Sequence, residues 1–259
     1  MIKAIIHATI YDFYTYIEDG YVVFDDKIIE VGRMQDFSNK NYQIIEGNES
    51  LVLPGLICGH THLYSAFARG LSLPFQPKNF QEILDQLWWK VDGKLDLDMV
   101  YHSGLVFGLD FLKNGVTTLI DHHASGIDLL GSLNQLKKAV TKDVGLRGIF
   151  AFETSDRFDV DACIKENISF SKKNHTDTCR GLFGLHASSS LSDKTLKKVK
   201  KVIGDIPIHI HVAESVLDEA DSMSKYHKPI INRLVEHGIL NPNRRSAPND
   251  PACAGSAPR

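Results

Sequence analysis

The sequence has few cysteines, no basic stripe and no long apolar run, and each absence argues against a class of protein. The formal net charge is -3, and lysine and arginine are scattered along the chain, which argues against a nucleic-acid partner. No apolar run approaches about 20 residues, the length of a membrane span, so no membrane partner is expected. The cysteines form no C-x-x-C pair, which argues against a zinc knuckle or a disulfide framework and predicts reduced thiols in the cytoplasm. They are Cys58, Cys163, Cys179 and Cys253.

The overall composition is typical of a globular protein. The 259 residues are 43% apolar, which is enough to bury at least one substantial core. Within residues 1–50, short apolar runs alternate with turn signals at residues 18–20 and 25–26. This pattern predicts a small antiparallel sheet, a β-sandwich-like domain over residues 1–50.

From residue 51, strand-length apolar runs alternate with helix-length amphipathic stretches. This order is typical of repeated βα units with a parallel sheet. A closed TIM-type (β/α)8 barrel requires eight such units, so the predicted fold class is α/β, an incomplete barrel of about five βα units over residues 51–243. The predicted strands span residues 51–58, 116–121, 146–152, 181–185 and 206–212. The predicted helices span residues 98–113, 129–142, 160–173, 192–203 and 229–237.

The last stretch, residues 244–259, differs in composition from the rest. It contains no leucine, isoleucine, valine, methionine or aromatic residue, so it cannot build a strand or a core. The abrupt turn to arginine, alanine and proline predicts a frame-shifted or foreign end, with a natural disordered tail as the alternative.

Two pairs of histidines occupy the ends of predicted strands. His60 and His62 follow the first apolar run, and residues two apart on a strand project to one face, so both imidazoles can converge on one ion. An H-x-H pair alone is weak evidence for a metal. His209 and His211 repeat the spacing in the fifth strand, and alternation directs them into the barrel, where an unpaired ring is costly. A metal is the expected partner of His211, and ordinary hydrogen bonds are expected for His209.

Several ordered motifs together resemble the amidohydrolase superfamily. The resemblance covers approximately residues 1–242 and is strongest to the SsnA-type aminohydrolases and their neighbours, the chlorohydrolases and the guanine, 8-oxoguanine and S-adenosylhomocysteine deaminases. The motifs are PGLI at 54–57, HTH at 60–62, GVTT at 115–118, GLHA at 184–187 and HIHVAE at 209–214, with DHHAS at 121–125 and FETSDR at 152–157 favouring the SsnA branch.

The resemblance implies a metal centre. His60, His62 and His211 match ligands of one divalent metal ion, zinc with iron as the alternative. Glu214 matches the catalytic glutamate that carries protons beside the metal. Without the resemblance, Glu214 is equally well read as a charge at the amino terminus of a helix.

Three further residues are predicted to contact the substrate. His186 matches the fourth-strand histidine that faces the substrate in this family. Glu82 lies in the segment after the first strand that often contacts substrate, although an exposed helix carboxylate explains it as well. His122, or its neighbour His123, ends the second strand and lines the pocket or caps the sheet. The other histidines are predicted to be surface or packing residues, namely His7, His102, His175, His227 and His237.

The implied function is hydrolysis of carbon–nitrogen bonds in a small nitrogen heterocycle by metal-activated water, with release of ammonia or another amine. The family's sixth-strand histidine and eighth-strand aspartate have no counterpart here, so impaired turnover is expected. Open strand edges also leave a homo-oligomer as an option. The alternatives are a chlorohydrolase or amide hydrolase of the same superfamily, or a non-catalytic accessory metal-binding protein.

Overall fold

The computed structural model describes residues 1–240, so the tail predicted at 244–259 lies outside the described residues. The chain divides into two compact units, Met1–Leu56 and the part that begins at Ile57. The domain boundary predicted after residue 50 stays a prediction. None of the helices in the described part of the chain is long and apolar enough to cross a membrane.

Five strands form one sheet in the first unit, with β1 at its centre. β1 pairs antiparallel with β2, and β2 pairs antiparallel with β3. However, β1 pairs parallel with both β4 and β5. The predicted antiparallel pairing therefore holds for β1, β2 and β3 and is wrong for β4 and β5, because after β3 the chain crosses over and returns along the other edge of β1. The strands are β1 (Lys3–Tyr11), β2 (Tyr16–Phe24), β3 (Ile28–Arg33), β4 (Gln43–Glu46) and β5 (Leu51–Val52).

An irregularity in β1 divides it between its two parallel partners. His7 has φ 52°, and the pairing register with β2 shifts between Ile5 and Ala8. Before this point β1 pairs with β4, and after it Thr9 pairs with Leu51 of β5. A bulge of this kind lets one strand serve two short partners in succession.

Strands and helices alternate through the rest of the described chain. The strands are β6 (Leu56–Thr61), β7 (Val116–His123), β8 (Arg147–Phe152), β9 (Cys179–Gly181), β10 (Phe183–Ala187) and β11 (Ile208–His211). The helices are α1 (Phe80–Ile83), α2 (Trp89–Asp92), α3 (Leu97–Lys113), α4 (Ser132–Leu136), α5 (Val160–Lys173), α6 (Asp193–Val202), α7 (Val216–Tyr226) and α8 (Ile230–Glu236). Wider helical turns, Leu84–Trp88 and Lys137–Val144, follow α1 and α4. The predicted α/β class and the five βα units are confirmed.

Two predicted strands are split in the structure. The run at 51–58 becomes β5 and β6, since Pro54 between them has no N–H to donate to a strand ladder. The run at 181–185 becomes β9 and β10, and between them the Leu182 N–H donates to the carbonyl of Phe150 at 2.9 Å. Helix α7 and the helical segment at 80–92 lie outside the predicted helices.

The strands from β6 to β11 form one wall with a seam between β8 and β10. Strands β6, β7, β8 and β9 pair in that order in one sheet, and β10 pairs with β11 in a second sheet. Across the seam the Thr154 N–H donates to the Gly184 carbonyl at 3.0 Å, and the His186 N–H donates to the Thr154 carbonyl at 3.0 Å. Within residues 1–240 this wall remains open, with β6 and β11 as its outer strands, which is the incomplete barrel that the sequence predicts.

Asn167 of α5 fills the seam from the helix side. Its Oδ1 accepts hydrogen bonds from the backbone N–H groups of Phe152 at 2.9 Å and Gly184 at 3.1 Å. Its Nδ2 donates to the Phe152 carbonyl at 2.8 Å. A side chain at position 184 has no room, since a Cβ there would lie 2.2 Å from the Phe152 carbonyl oxygen. The buried amide thus replaces ladder hydrogen bonds that β8 and β10 do not make directly.

The alternation in β11 sorts its residues as predicted. Ile208 and Ile210 pack against an apolar cluster of the helix layer that includes Leu196 of α6 and Leu234 of α8. The two histidines of the strand therefore occupy the opposite face, toward the barrel interior.

Candidate metal centre and cavity

Two strand ends bring three histidines together. His60 lies in β6, His62 follows that strand, and His211 is the last residue of β11. The Nε2 atoms are 3.1 Å apart between His60 and His62, 3.4 Å between His60 and His211, and 3.3 Å between His62 and His211. Among the described residues this is the group of potential metal ligands whose donor atoms all lie within 4.8 Å of one another.

The spacing of these nitrogen atoms fits a tetrahedral metal ion. With zinc–nitrogen bonds of about 2.0–2.1 Å, two tetrahedral ligands stand about 3.3–3.4 Å apart. Three ring nitrogens facing one another would otherwise bring their lone pairs together unfavourably. The donor set and its spacing therefore suit a cation, and imidazole nitrogen is a common zinc ligand.

Backbone carbonyls orient two of the three rings. The Nδ1–H of His62 donates to the His122 carbonyl at 2.7 Å, and the Nδ1–H of His211 donates to the His186 carbonyl at 3.0 Å. A neutral imidazole with its proton on Nδ1 has a free lone pair on Nε2. These bonds thus select the tautomer that a metal ligand requires.

Burial keeps the three imidazoles neutral. It lowers the pKa of His62 to about 3, and it also lowers the pKa of His60 and of His211. For His60 and His62, the neighbouring His211 lowers the pKa further. Metal binding requires neutral imidazole, so at neutral pH no proton has to leave these rings before a metal can bind.

His209 and His122 lie beside the three ligand candidates. The Nε2 of His209 is 3.1 Å from Nδ1 of His60, and its Nδ1 is 3.0 Å from Nδ1 of His122. The hydrogen bonds expected for His209 thus have two imidazoles as their partners. His122 is fully buried, with its ring centroid 4.6 Å from that of His211, and its neighbour His123 is equally buried. The substrate-binding role of His122 stays a prediction.

Glu214 lines a cavity beside the three histidines. Burial and the nearby Asp218 carboxylate raise the pKa of Glu214, and its backbone N–H donates to Asp218 Oδ2 at 3.0 Å. Helix α7 begins at Val216, two residues further on, and Asp218 and Glu219 occupy its first turn. Asp218 and Glu219 therefore supply negative charge at the amino terminus of α7. Glu214 itself lies before the helix and lines the cavity.

The cavity has a volume of about 340 Å³, and its walls combine aromatic and charged side chains. This volume is at the small end of ligand pockets, which measure about 300–1,000 Å³. Besides the three histidines and Glu214, its lining includes His186, which is buried and whose Nδ1 lies 2.6 Å from the Ser190 hydroxyl. The aromatic side chains in the lining are Tyr64, Phe80, Trp88 and Trp89.

A charged network on the cavity wall was not predicted as part of the site. Arg157 donates to Asp92 Oδ1 at 2.6 Å and to Glu153 Oε1 at 3.1 Å, and its guanidinium lies 4.5 Å from the Trp89 ring centroid. Burial raises the pKa of Asp92 to about 6 and outweighs Arg157, which lowers it. Glu153 Oε1 is 3.8 Å from Nδ1 of His186. The position of Glu153 directly after β8, at the end of a barrel strand, is the signal that could have identified it.

Glu82 lies on α1, which contributes Phe80 to the cavity. Its carboxylate accepts a hydrogen bond from the Lys78 backbone N–H at 2.8 Å, and its own N–H donates to the Asn79 side chain at 3.0 Å. These contacts cap the start of the helix. The substrate contact of Glu82 stays a prediction.

Asp121 is fully buried in β7, two residues before the end of that strand. Its Oδ1 accepts the Leu63 N–H at 2.7 Å, whereas Oδ2 has no partner within the described part of the chain. Burial raises its pKa to about 7. In the unfolded chain an aspartate titrates near pH 4, so between about pH 4 and 7 the folded state keeps a proton that the unfolded state releases. The stability that this group contributes is present below pH 4 and is lost as the pH rises through 7.

We therefore expect Asp121→Asn to become more stable relative to the wild-type chain as the pH rises. One pKa unit corresponds to about 1.4 kcal/mol, so the difference in unfolding free energy should change by about 2–3 kcal/mol between pH 5 and 7. Urea unfolding of both metal-free proteins at several pH values measures this. Asp205→Asn, at an exposed position, is the control. Parallel pH profiles for Asp121→Asn and the wild-type chain would contradict the assignment.

The comparisons with known proteins agree with this fold. Residues 51–240 match the amidohydrolase family. The 5'-deoxyadenosine deaminase of Methanocaldococcus jannaschii is 28% identical over 204 residues, covering 75% of this chain and 45% of the relative. The 5-methylthioadenosine/S-adenosylhomocysteine deaminase of Pyrococcus furiosus is 27% identical over 238 residues, covering 89% and 54%. The zinc-complexed atrazine chlorohydrolase of Arthrobacter aurescens shares the fold, with a TM-score of 0.76, 23% identity and coverage of 91% of this chain and 58% of that one.

The fold is that of an incomplete α/β barrel whose strand ends carry a candidate metal centre. The chain belongs to the amidohydrolase family, because the family match covers well over half of it. The chain spans about half the length of the curated relatives it matches.

Proposed function

We propose that this chain carries the metal site of an aminohydrolase, which hydrolyses a carbon–nitrogen bond of a small nitrogen heterocycle and releases ammonia. The observation that carries the proposal is the triangle of Nε2 atoms from His60, His62 and His211, with separations of 3.1–3.4 Å. The deaminase activity named for the similar curated proteins supports it.

The three histidines would hold one divalent ion. Zinc is proposed, with iron as the alternative, because the nitrogen spacing fits zinc and a neighbour of the same fold is a zinc complex. When bound, such an ion activates water for attack on the substrate.

Glu214 is proposed to move the proton. Its carboxylate faces the cavity, and its raised pKa brings it closer to neutral pH, where a group both accepts and returns protons efficiently. It would take a proton from the attacking water and deliver it to the departing nitrogen. Because the leaving amine needs a proton to depart as ammonia, one carboxylate serves both steps.

The cavity walls suit a flat, polar ring. The side chains of Tyr64, Trp88 and Trp89 offer aromatic faces and edges. His186 and Glu153 offer hydrogen-bonding atoms at one side of the same space. We propose a nitrogen heterocycle with an exocyclic amino group as the substrate class, with His186 as a direct contact. The substrate contacts of Glu82 and His122 stay predictions from the sequence, because neither residue is among those that line the cavity.

The test is ammonia release by the purified chain after loading with one equivalent of zinc. The panel contains 5'-deoxyadenosine, 5-methylthioadenosine, S-adenosylhomocysteine, guanine and a chlorotriazine. We expect ammonia release from at least one amino heterocycle, its loss on treatment with a chelator, and its return with zinc. The impaired turnover expected from the sequence stays a prediction. The rate of ammonia release in this assay tests it.

Other outcomes of this assay identify the alternatives. Release of chloride without ammonia would indicate a chlorohydrolase, in line with the fold of the atrazine enzyme. Stoichiometric zinc binding without any release would contradict the hydrolase and favour an accessory metal-binding protein. Failure to bind zinc would contradict the metal site itself.

Glu214→Gln should lower the rate of ammonia release by about 100-fold, the lower end of the contribution of general acid–base catalysis. The amide keeps the size of the side chain but cannot carry the proton, so zinc content should stay unchanged. Glu236→Gln, at an exposed position on α8, is the matched control. A rate within threefold of the wild-type value would remove Glu214 from the mechanism.

A further inference from the structure

A string of imidazoles extends from the side of His60 that faces away from the other two ligand candidates. The Nδ1 of His60 is 3.1 Å from Nε2 of His209, and the Nδ1 of His209 is 3.0 Å from Nδ1 of His122. We propose that His209 and His122 are positioning residues, which hold His60 in the tautomer and orientation needed for metal binding. This inference rests on the metal site proposed above.

The proton positions along the string follow from the chemistry of imidazole. To bind a metal, His60 needs a free lone pair on Nε2, so in the neutral ring the proton lies on Nδ1. That N–H donates to Nε2 of His209, which must then accept. The proton of His209 therefore lies on its Nδ1 and is donated to Nδ1 of His122, whose own proton lies on Nε2.

The opposite direction of donation is incompatible with a metal. If His122 donated through Nδ1 to His209, then His209 would donate through Nε2 to His60. The proton of His60 would then lie on Nε2, between the three converging nitrogen atoms. The string therefore has one arrangement of neutral tautomers that leaves His60 free to bind an ion.

His60 needs such a partner more than the other two ligand candidates do. His62 and His211 donate to backbone carbonyls, of His122 and His186, which are permanent acceptors held by strands. His60 donates instead to a side chain, and it is the most exposed of the three. Its ring could turn in solvent if His209 did not accept from it.

His122 anchors the string in the sheet. It is fully buried in β7. Its carbonyl accepts from His62, while its ring lies within hydrogen-bonding distance of His209. His122 therefore contacts His62 through its carbonyl and reaches His60 through the ring of His209. These two contacts explain a histidine at a position that does not line the cavity.

The test compares His209→Ala with His209→Gln. The Oε1 atom of glutamine occupies about the position of the histidine Nε2 and can accept from His60, whereas alanine leaves that N–H without a partner. Loss of a hydrogen-bond partner of a metal ligand lowers metal affinity by about 10- to 100-fold. We expect this loss in His209→Ala and recovery to within about threefold of wild type in His209→Gln.

Zinc affinity is measured by competition with a chromophoric chelator, and the absorption spectrum of the cobalt-substituted proteins reports ligand geometry. The spectrum should change in His209→Ala and return in His209→Gln. Unchanged affinity and spectrum in His209→Ala, or a glutamine variant as weak as the alanine variant, would overturn the proposal. If the wild-type chain binds no zinc, the proposed metal site fails instead.

A second measurement applies even if His209→Ala does not fold. Long-range nitrogen–proton NMR correlations of the metal-loaded wild-type chain identify the protonated nitrogen of each imidazole. We expect protons on Nδ1 of His60, on Nδ1 of His209 and on Nε2 of His122. A proton on Nε2 of His209 would overturn the proposed direction of donation.

Discussion

Replacing both His60 and His62 by alanine is expected to weaken zinc binding by about 10,000-fold. Structural zinc sites with four ligands contribute about 10–16 kcal/mol, or about 3 kcal/mol for each ligand. A change of 1.4 kcal/mol is tenfold in affinity, so each lost ligand lowers it by about 100-fold. The Nε2 atoms of His60, His62 and His211 are all within 3.4 Å of one another, which is why the loss of two leaves no chelating site.

Chelator competition and metal content after dialysis measure this prediction. His211→Ala alone should lose about 100-fold, which separates the contribution of β11 from that of β6. His102→Ala removes an exposed imidazole from α3 and is the matched control. Retention of zinc by the double variant at wild-type affinity would show that the ion binds elsewhere. It would contradict both the proposed metal site and the function proposed for it.

Asn167→Ala is expected to lower the free energy of unfolding by about 3–6 kcal/mol. The substitution leaves the N–H groups of Phe152 and Gly184 without an acceptor inside the barrel wall, and each buried group without a partner costs about 1–3 kcal/mol. The lost Nδ2 bond to the Phe152 carbonyl adds to this. The loss is large against the 5–15 kcal/mol that stabilises a typical domain.

Urea unfolding followed by tryptophan fluorescence measures the effect. Lys165→Ala, on the exposed face of the same helix, should change stability by less than about 0.5 kcal/mol. Because β10 pairs with β11, which carries His211, we also expect zinc affinity to fall in the Asn167 variant. A loss of stability below 1 kcal/mol would show that water or backbone adjustment replaces the amide in the seam.

Local sequence signals predicted the elements best where they agreed with one another. Helix α5 was predicted at 160–173 and spans Val160–Lys173, since its apolar period begins just after Asp159, whose side chain accepts from the N–H groups of Asp161 and Ala162. Helix α6 differs from its prediction by one residue at each end, and Ser192 caps its start. The parallel return of β4 and β5 to β1 was missed, because strand direction depends on where the chain crosses over and leaves no local pattern.

The histidine spacing and the family motifs pointed to the ligand candidates, but not to the groups that surround them. Asp92 and Arg157 lie 65 positions apart and meet at 2.6 Å, and no periodicity connects them. Asn167 is one of several polar residues in α5, and nothing in its local sequence marks it as the residue that hydrogen-bonds to both β8 and β10. The pairing of His209 with His60 joins residues 149 positions apart.

The sequence by itself determined the α/β class, the five βα units and the strand-end histidines, because apolar alternation, caps and H-x-H spacing act over a few neighbouring residues. Only the tertiary structure decided which polar groups meet: the convergence of three Nε2 atoms, the imidazole string behind His60, the Arg157 network and the Asn167 seam. These contacts join distant strands and helices, and their distances depend on how the wall curves and packs, which no short stretch of sequence encodes.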